Sequence, residues 1–474
     1  MRKQSLLYLG LAAVGAASIV AASTPQGRTA AAGHLSGTVT SPSGPEAGVW
    51  VIAETRDLPT PFAKIVVTDD RGRYVVPDLP RATYNVWVRG YGLVDPPKQR
   101  VTTRSDNGTI TLNLRAVPAP NAAAAAQYYP AGYWYSLLQV PAPSEFPGTG
   151  PEGNGISPNM RSQQQWVRAM KSGGCTGCHA MGNEATRRFP PSLGKFPSSV
   201  DAWHRRIQSG QAGAGMLAQV ENFGLKRALG EFASWTDRIA NGELPPVPPR
   251  PQGIERNVVI TMWDGADPKA YMHDLITTDK RKPTVNPNGL IYGAPELSVD
   301  YMPVLDPVRH TATKIPLEPR DPNTPATGAH MPQPSPYYGW DTLWTSRINI
   351  HNQMIDEQGR VWMAMTVRGP ENPAFCKEGS DHPSAKLTPV ARAGRHLAVY
   401  DPKTKKLTHI STCFGTHHLM FAEDANHTLW TSGGGQVIGW LNTKMFDETQ
   451  DEMKSQGWTA LIRDANGNGK RDAY

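Results

Sequence analysis

Five consecutive residues carry the most specific chemistry of this 474-residue sequence, the run Cys175-Thr-Gly-Cys178-His179. In a C-x-x-C-H run the two thiols can bond covalently to a haem, and the histidine then offers a nitrogen to the iron. A disulfide loop, a zinc half-site and a thioredoxin-like redox pair are the alternatives. No second ligand pair follows at zinc spacing, and the flanks read as helix and then loop. The run therefore favours one covalently bound haem c.

A second run with metal-ligand spacing lies at the end of the sequence. Oxygen-bearing side chains recur there with the spacing of a calcium-binding loop, at Asp464, Asn466, Asn468 and Asp472. A solvated turn is the alternative. The last ligand position of such a loop would fall just beyond the final residue. We therefore regard calcium as a candidate ligand and expect the sequence to be a fragment of a longer protein.

Residues 1–23 have the pattern of a secretory signal peptide. Arg2 and Lys3 precede an apolar run from Leu6 to Ala22, and small residues provide a cleavage site. The run is short and rich in alanine and glycine, which favours cleavage, with an uncleaved anchor as the alternative. No later stretch is apolar enough to cross a bilayer. We expect a periplasmic protein without a membrane span after signal cleavage.

Composition limits the architecture and the partners. The 43 prolines and 45 glycines favour short strands and many turns, and the length predicts several domains. A net charge of +7 favours an acidic redox partner protein or the anionic membrane surface over nucleic acid outside the cytoplasm, with a dispersed charge and no specific partner as the alternative. Cys376 and Cys413 remain after haem attachment and, in an oxidising compartment, predict one disulfide.

Residues 35–116 predict a small β-sandwich, because short β-rich runs alternate with turn clusters. The order Gly37-x-Val39, Gly48-x-x-Val51 and Gly72-x-Tyr74 resembles the carboxypeptidase regulatory-like domain, and this resemblance implies an accessory module. Residues 117–157 predict a linker rich in proline and alanine. We expect its aromatic cluster to pack between domains, with sugar stacking as the alternative.

Residues 158–245 predict a small all-α domain around the C-x-x-C-H run. Apolar residues recur at helical spacing in 164–171, 200–208 and 225–239. Helix, haem motif, helix, methionine segment and closing helix is an order that resembles class I cytochromes c. The resemblance implies that Met216, in a glycine-rich loop, is the second axial ligand of the haem iron. His204 and an open iron position are the alternatives, and the open position would suit peroxide or oxygen chemistry.

Residues 255–474 predict a partial β-propeller, because strand patterns repeat. The segment from His351 to Trp362 is echoed from His418 to Trp430, each with the spacing D-x-x-G/H-x-x-W. Two or three units can be counted, and they resemble blades of the virginiamycin B lyase-like family. The resemblance suggests that His351, His417 and His418, which open inner strands, bind a metal or act as acid and base. Hydrogen bonding to the backbone is the alternative.

The sequence thus predicts a multidomain, mainly β protein with a β-sandwich, a small all-α cytochrome c domain and a partial β-propeller. We expect electron transfer through one haem c, coupled to binding or oxidation of a small molecule by the propeller. Two alternatives stay open. One is a non-catalytic relay that binds a carbohydrate or a protein partner, and the other is a metal-dependent lyase with an appended cytochrome.

Overall fold

A computed structural model of the protein describes residues 33–103, 108–172, 174–177, 180–328, 331, 333–433, 437–461 and 468. Over these residues the chain is mainly β, with several separate, mostly antiparallel sheets and short helices. No helix in the described ranges is both long enough and apolar enough to span a bilayer. The predicted signal peptide, residues 1–23, lies outside the described residues.

The N-terminal two-sheet unit consists of short strands separated by turns. Its strands are β1 (Gly33–Ser41), β2 (Gly44–Pro45), β3 (Trp50–Thr55), β4 (Phe62–Val67), β5 (Arg73–Leu79), β6 (Thr83–Arg89), β7 (Leu93–Val94), β8 (Gln99–Thr102), β9 (Thr109–Thr111), β10 (Leu114–Arg115) and β11 (Val117–Pro118). In one sheet, β1 pairs with β2, β5, β9 and β10, while β7 and β11 form a separate pair. In the other sheet, β4, β3, β6 and β8 are neighbours in that order.

The two sheets of this unit share one core. Successive side chains of a strand point to opposite faces, so residues at every second position reach the space between the sheets. Val51 and Val86 of one sheet pack there with Leu35 and Val76 of the other. Two sheets over one core are compatible with the predicted β-sandwich.

A strand from the C-terminal region completes the second sheet. Strand β12 (Val259–Trp263) lies antiparallel to β4, with Val259 opposite Val66 and Trp263 opposite Phe62. A pairing between strands so distant in sequence leaves no local pattern, and β12 falls within residues 255–474, where the sequence predicts a partial propeller. The ladder of backbone hydrogen bonds therefore ties the C-terminal region to the N-terminal two-sheet unit.

The helical unit lies between the two β regions in sequence. Its helices are α1 (Ala122–Ala126), α2 (Ala131–Ser136), α3 (Gln163–Val167), α4 (Glu184–Arg187), α5 (Ser199–Ile207), α6 (Gly213–Phe223) and α7 (Leu225–Ala240). A π-turn at Arg168–Ser172 extends α3 toward the 3-10 turn Cys175–Gly177. The helices predicted at 164–171, 200–208 and 225–239 are therefore confirmed as α3 with its π-turn, α5 and α7.

Large aromatic side chains hold the helical unit together. Trp203 of α5 stacks on Phe232 of α7 with ring centroids 4.9 Å apart, and Trp166 of α3 is fully buried beside them. Helix α5 begins at Ser199 because the Ser198 side chain accepts a hydrogen bond from Asp201 N. The apolar faces of short helices thus supply the burial that helix propensity alone would not provide.

The aromatic residues of the predicted linker pack between neighbouring parts of the chain. Tyr129 and Trp134 share a cluster with Tyr91 of the N-terminal two-sheet unit and Ile239 of α7. Trp134 O also accepts a hydrogen bond of 2.9 Å from Trp235 Nε1. Packing between domains, as the sequence predicts for these aromatic residues, is what the structure shows.

The three-sheet unit follows β12. Its first sheet contains β13 (Met272–Ile276), β14 (Ile291–Pro295), β15 (Tyr301–Asp306) and β16 (Thr311–Pro316). The second contains β17 (Asn352–Ile355), β18 (Val361–Met365), β19 (His396–Asp401) and β20 (Lys406–Ile410), and the third contains β21 (His418–Phe421), β22 (Thr428–Ser432), β23 (Val437–Asn442) and β24 (Gln456–Ala460). Helix α8 (Pro383–Leu387) lies in the second sheet's insertion, and α9 (Thr443–Thr449) and α10 (Glu452–Ser455) precede β24. Each sheet is an antiparallel meander in chain order.

A hydrogen-bonded turn and a disulfide bond stabilise the second sheet. Asp356 closes the turn before β18 by accepting hydrogen bonds from Arg360 N at 2.9 Å and from the buried Trp362 Nε1 at 2.8 Å. This contact explains the spacing of aspartate and tryptophan in the second sheet alone, because in the third sheet Trp430 is exposed and Asp424 accepts hydrogen bonds from Thr428 instead. The predicted disulfide between Cys376 and Cys413 is confirmed, and its Cα atoms are 5.3 Å apart.

Candidate functional site

The first strands of the three sheets bring four histidines together. Strand β17 contacts both β13 and β21, so the three strands lie side by side. His273 lies in β13, His351 immediately precedes β17, and His417 and His418 stand at the start of β21. Because each of these positions falls at the same end of its sheet, the imidazoles converge. We call these four residues the histidine cluster.

His351 is the centre of the histidine cluster. Its ring centroid lies 4.0 Å from those of His273 and His417 and 5.2 Å from that of His418. One ring nitrogen from each of His351, His417 and His418 lies within 4.8 Å of the other two. One nitrogen each of His273 and His351 and an oxygen of Glu296 meet the same limit. Such spacing brings several ligand atoms within reach of one metal ion.

Glu296 orients His351. One oxygen of Glu296, which follows β14, lies 2.7 Å from His351 Nδ1 and accepts a hydrogen bond of 2.6 Å from Arg395 Nη1. An ionised carboxylate is only an acceptor, so Nδ1 of His351 is the donor of this pair, which leaves Nε2 as the nitrogen that can offer a lone pair to a metal. His351 Nε2 is buried and has no hydrogen-bond partner among the described residues.

The charges of these groups suit metal binding. Burial raises the pKa of Glu296, but hydrogen bonds from His351 and Arg395 outweigh burial and lower that pKa to about 2. Burial, together with the neighbouring His351 and His418, lowers the pKa of His417 to about 4. Burial and His351 also lower the pKa of His418. Neutral imidazoles with a free lone pair are the form that binds metals.

The structure brings together the three histidines singled out from the sequence and adds three residues that were missed. His351, His417 and His418 converge as predicted, whereas His273, Glu296 and Arg395 were not identified. The sequence offers little signal for His273. Asp279 follows it as Asp356 follows His351, but the glycine and tryptophan of the repeat are replaced by Lys282 and Val285. Glu296 and Arg395 lie outside the repeat.

The structure describes only part of the C-x-x-C-H run. Cys178 and His179 lie outside the described residues, whereas Cys175 is half-buried against the core of the helical unit. Met216 packs against that same core. A Cβ on Gly174 would lie 2.9 Å from the Gln219 side chain of α6, so α6 runs beside the start of the motif.

Met216 lies in a helix, not in the predicted loop. Helix α6 includes both glycines that suggested a loop, because Val220 and Phe223 bury their side chains in the core at helical spacing. The alternative ligand His204 is exposed on α5. Of the predicted calcium ligands only Asn468 is described, and Asp464, Asn466 and Asp472 lie outside the described residues.

The helical unit is docked on the three-sheet unit near the histidine cluster. Gln211, just before α6, accepts hydrogen bonds of 2.8 Å from Leu343 N and from Trp344 N. Gly328 lies against this contact, and a Cβ added there would be 2.0 Å from Trp344 O. The loop between the first and second sheets therefore joins the two units.

Comparisons with known proteins give no assignment. No family model matches the chain, and no curated protein matches it. Among solved structures, the Bacillus anthracis TIE protein is 18% identical with a TM-score of 0.16, over 19% of this chain and 17% of that one. Catechol 1,2-dioxygenase from Pseudomonas arvilla C-1 is 12% identical with a TM-score of 0.16, over 22% of this chain and 57% of that one. This chain thus covers less than two thirds of the length of each of these two proteins. Neither similarity assigns a fold or an activity.

Proposed function

We propose that the chain is an exported electron-transfer protein that carries one haem c on its helical unit. The observation that carries this proposal is the C-x-x-C-H run in a chain that begins with a signal-peptide pattern. A haem held in this way exchanges single electrons through its iron. We further propose a periplasmic location and a redox partner protein with an acidic face.

Each residue of the proposed haem site has a distinct role. Cys175 and Cys178 would tether the porphyrin, His179 would be the proximal ligand and Met216 the distal one. Three observations support this assignment: Cys175 and Met216 pack against one core, α6 runs beside Gly174, and His204 is exposed. Trp166 Nε1, buried in that core, has no partner among the described residues and could donate to a bound group.

The finer architecture belongs to the same proposal. We interpret the N-terminal two-sheet unit as a carboxypeptidase regulatory-like sandwich and the helical unit as a class I cytochrome c domain. The meander order of each sheet and the contacts between β13, β17 and β21 support a partial β-propeller of lyase-like blades. Calcium at Asp464, Asn466, Asn468 and Asp472 remains a prediction from spacing alone.

Acid-acetone extraction of the purified, exported protein tests the haem proposal. A covalently attached pigment stays with the precipitated protein, whereas a non-covalent haem moves into the solvent. We expect all visible absorbance to stay with the protein. A colourless protein, or pigment in the solvent, would contradict the proposal.

The spectrum of the ferric protein tests the distal ligand. Sulfur ligation gives a weak band near the red end of the visible spectrum, and we expect Met216→Ala to remove it. Met170→Leu is the matched control, because Met170 is fully buried in the same core. If Met216→Ala keeps the band, the assignment of Met216 is refuted. If Met170→Leu loses the band, Met170 is the distal ligand instead.

A second function is favoured by the histidine cluster, namely a metal centre in the three-sheet unit. The observation that carries it is that His351 Nε2 is buried and has no hydrogen-bond partner among the described residues. In addition, one ring nitrogen from each of His351, His417 and His418 lies within 4.8 Å of the other two. Imidazole ligands suit Zn²⁺, Cu²⁺ or Fe²⁺ better than Ca²⁺ or Mg²⁺. Such a centre is compatible with either oxidation or elimination of a substrate in the three-sheet unit.

Calorimetric titration of chelator-treated protein with Zn²⁺ tests the metal centre. We expect one tight site that His351→Ala abolishes while the haem absorbance stays unchanged. His427→Asn is the matched control, because His427 lies in the same unit outside the cluster and has φ 48°, which asparagine tolerates. Equal binding by the wild type and His351→Ala would refute the metal centre.

A further inference from the structure

A cavity of about 440 Å³ opens beside the histidine cluster. His417 forms part of its wall, and Thr327, Asn349 and Thr416 contribute polar groups. Two arginines, Arg368 and Arg395, are the charged residues of the wall, and no carboxylate is among the described lining residues. The volume lies in the range of small-molecule sites, and the charge favours an anion.

The two arginines of this wall differ in what they can offer a ligand. Arg368 is saturated, because its guanidinium donates to Ser411 Oγ, Gly369 O, Glu371 O, Asn372 Oδ1 and Thr412 O. Its role is therefore to hold the wall together. It has no donor left for a ligand.

Arg395 has donors to spare. Its Nη1 donates to Glu296 Oε1 at 2.6 Å, and the guanidinium makes no other hydrogen bond to the described part of the chain. The side chain is 19% exposed, so a ligand can reach it. A guanidinium has five donors in a planar fork, and the free edge can hold a carboxylate through two parallel hydrogen bonds.

We propose that this cavity binds a small organic carboxylate, with its carboxylate held by Arg395 and the rest of the molecule directed along His417 toward the metal centre. Binding of the anion depends on Arg395, whose own donors hold the carboxylate. Only the reaction of the bound molecule rests on the metal centre proposed above. Glu296 already compensates part of the charge of Arg395, which favours a monoanion over a doubly charged phosphate.

The wall of the cavity continues into the contact between the three-sheet unit and the helical unit. Pro325, Ala326 and Thr327 line the cavity, and the next residue, Gly328, packs against Gln211 of the helical unit. Residues 325–328 therefore run from the wall of the cavity to the contact with the helical unit.

Calorimetric titration of the haem-containing protein with benzoate and with its neutral isostere benzamide tests the proposal. We expect the Zn²⁺-loaded wild type to bind benzoate at least about tenfold more tightly than benzamide, because only benzoate gains charge-assisted hydrogen bonds. Arg395→Gln should weaken benzoate binding about 10- to 100-fold and leave benzamide binding unchanged. Arg392→Gln is the control, because Arg392 is exposed outside the described cavity wall and pairs with Glu371, and it should keep the preference for benzoate.

The outcomes separate this proposal from the metal centre. Equal affinity of the wild type for benzoate and benzamide would overturn the carboxylate site even if Zn²⁺ binds, and it requires no variant to fold. Tighter binding of phenyl phosphate than of benzoate would overturn the choice of a carboxylate. A preference for benzoate in a protein that fails to bind Zn²⁺ would support the carboxylate site and refute the metal centre alone.

Discussion

The helical unit and the three-sheet unit hold their candidate sites in opposite ways. In the helical unit the proposed haem-attachment residues lie within five consecutive positions, Cys175 to His179. In the three-sheet unit the histidine cluster takes residues from three separate sheets, between His273 and His418. The first site is encoded by consecutive residues, so its motif can be recognised before the fold is known. The second exists only once three sheets have packed side by side, so its integrity depends on the whole unit.

The largest expected effect separates the two sites completely. Changing Cys175 and Cys178 together to alanine should abolish covalent pigment, because no thioether bond to the porphyrin can then form. Zn²⁺ binding by the three-sheet unit should remain unchanged, since the cluster takes no residue from the helical unit. Visible absorbance after acid-acetone extraction and calorimetric titration with Zn²⁺ measure the two properties. Loss of both together would show that the sites are not independent.

A smaller effect is expected at Glu296, which touches the cluster without supplying its central nitrogen. Glu296→Gln removes the charged acceptor at His351 Nδ1 and should weaken Zn²⁺ binding about 10- to 100-fold, the usual effect of losing a group that orients a metal-binding histidine. Glu318→Gln, in the loop after the first sheet, is the control and should leave the affinity unchanged. An affinity unaffected by Glu296→Gln would show that His351 is oriented without this carboxylate.

What could be predicted from the sequence follows the same division. The C-x-x-C-H run, the helical periodicity around it and the strands of residues 35–116 depend on neighbours in sequence. The described helices and strands match the predicted ones, while haem attachment stays a prediction. His351, His417 and His418 were found because they recur in a repeat. Arg395 and Glu296 were missed because their meeting depends on the packing of two sheets, and no local pattern encodes it.

Other differences have equally physical causes. Two glycines in 213–217 suggested a loop, but burial of Val220 and Phe223 outweighs the cost of glycine in a helix, about 1 kcal/mol per residue. Strand β12 lies in the region predicted as a propeller but pairs with β4 of the N-terminal two-sheet unit, and no local pattern signals a pairing that spans the entire helical unit. Tertiary contacts decided both outcomes.

The turn aspartates of the repeat should differ in their effect on stability. Asp356 is 3% exposed and accepts hydrogen bonds from Gln358 N, Arg360 and Trp362 Nε1. Asp356→Ala should lower the free energy of unfolding of the three-sheet unit by about 3 kcal/mol, because a buried indole and a guanidinium lose their acceptor. Weaker Zn²⁺ binding should accompany this loss, while haem attachment should not change.

Asp424, at the equivalent position of the third sheet, is the matched control. It is exposed and accepts hydrogen bonds from Thr428, at 2.9 Å from the backbone nitrogen and 2.7 Å from the hydroxyl, and from the backbone of Asn426. Asp424→Ala should cost about 1 kcal/mol. Urea unfolding followed by tryptophan fluorescence measures both variants, and equal losses would contradict the difference in burial.

The smallest effect concerns the junction that holds the first sheet, and with it His273, against the N-terminal two-sheet unit. His310 Nδ1 accepts a hydrogen bond of 3.1 Å from Trp263 Nε1, and its ring lies 5.2 Å from that of Phe62. Burial and the charge of Lys64 lower the pKa of His310, against the opposing effect of Asp306. The charged imidazole is therefore disfavoured in the folded protein.

This depressed pKa predicts a weak pH dependence of stability. The contribution of His310 is fully present above the unfolded pKa near 6.5 and is lost as the pH falls through the folded pKa below it, because the unfolded chain then binds the additional proton. The loss should stay below about 1 kcal/mol, since the ring is only partly buried. His310→Gln should flatten the pH dependence of the unfolding midpoint below pH 6.5, whereas His204→Gln, at an exposed histidine of the helical unit, should leave it unchanged. An unchanged slope in His310→Gln would show that the junction tolerates a charged ring.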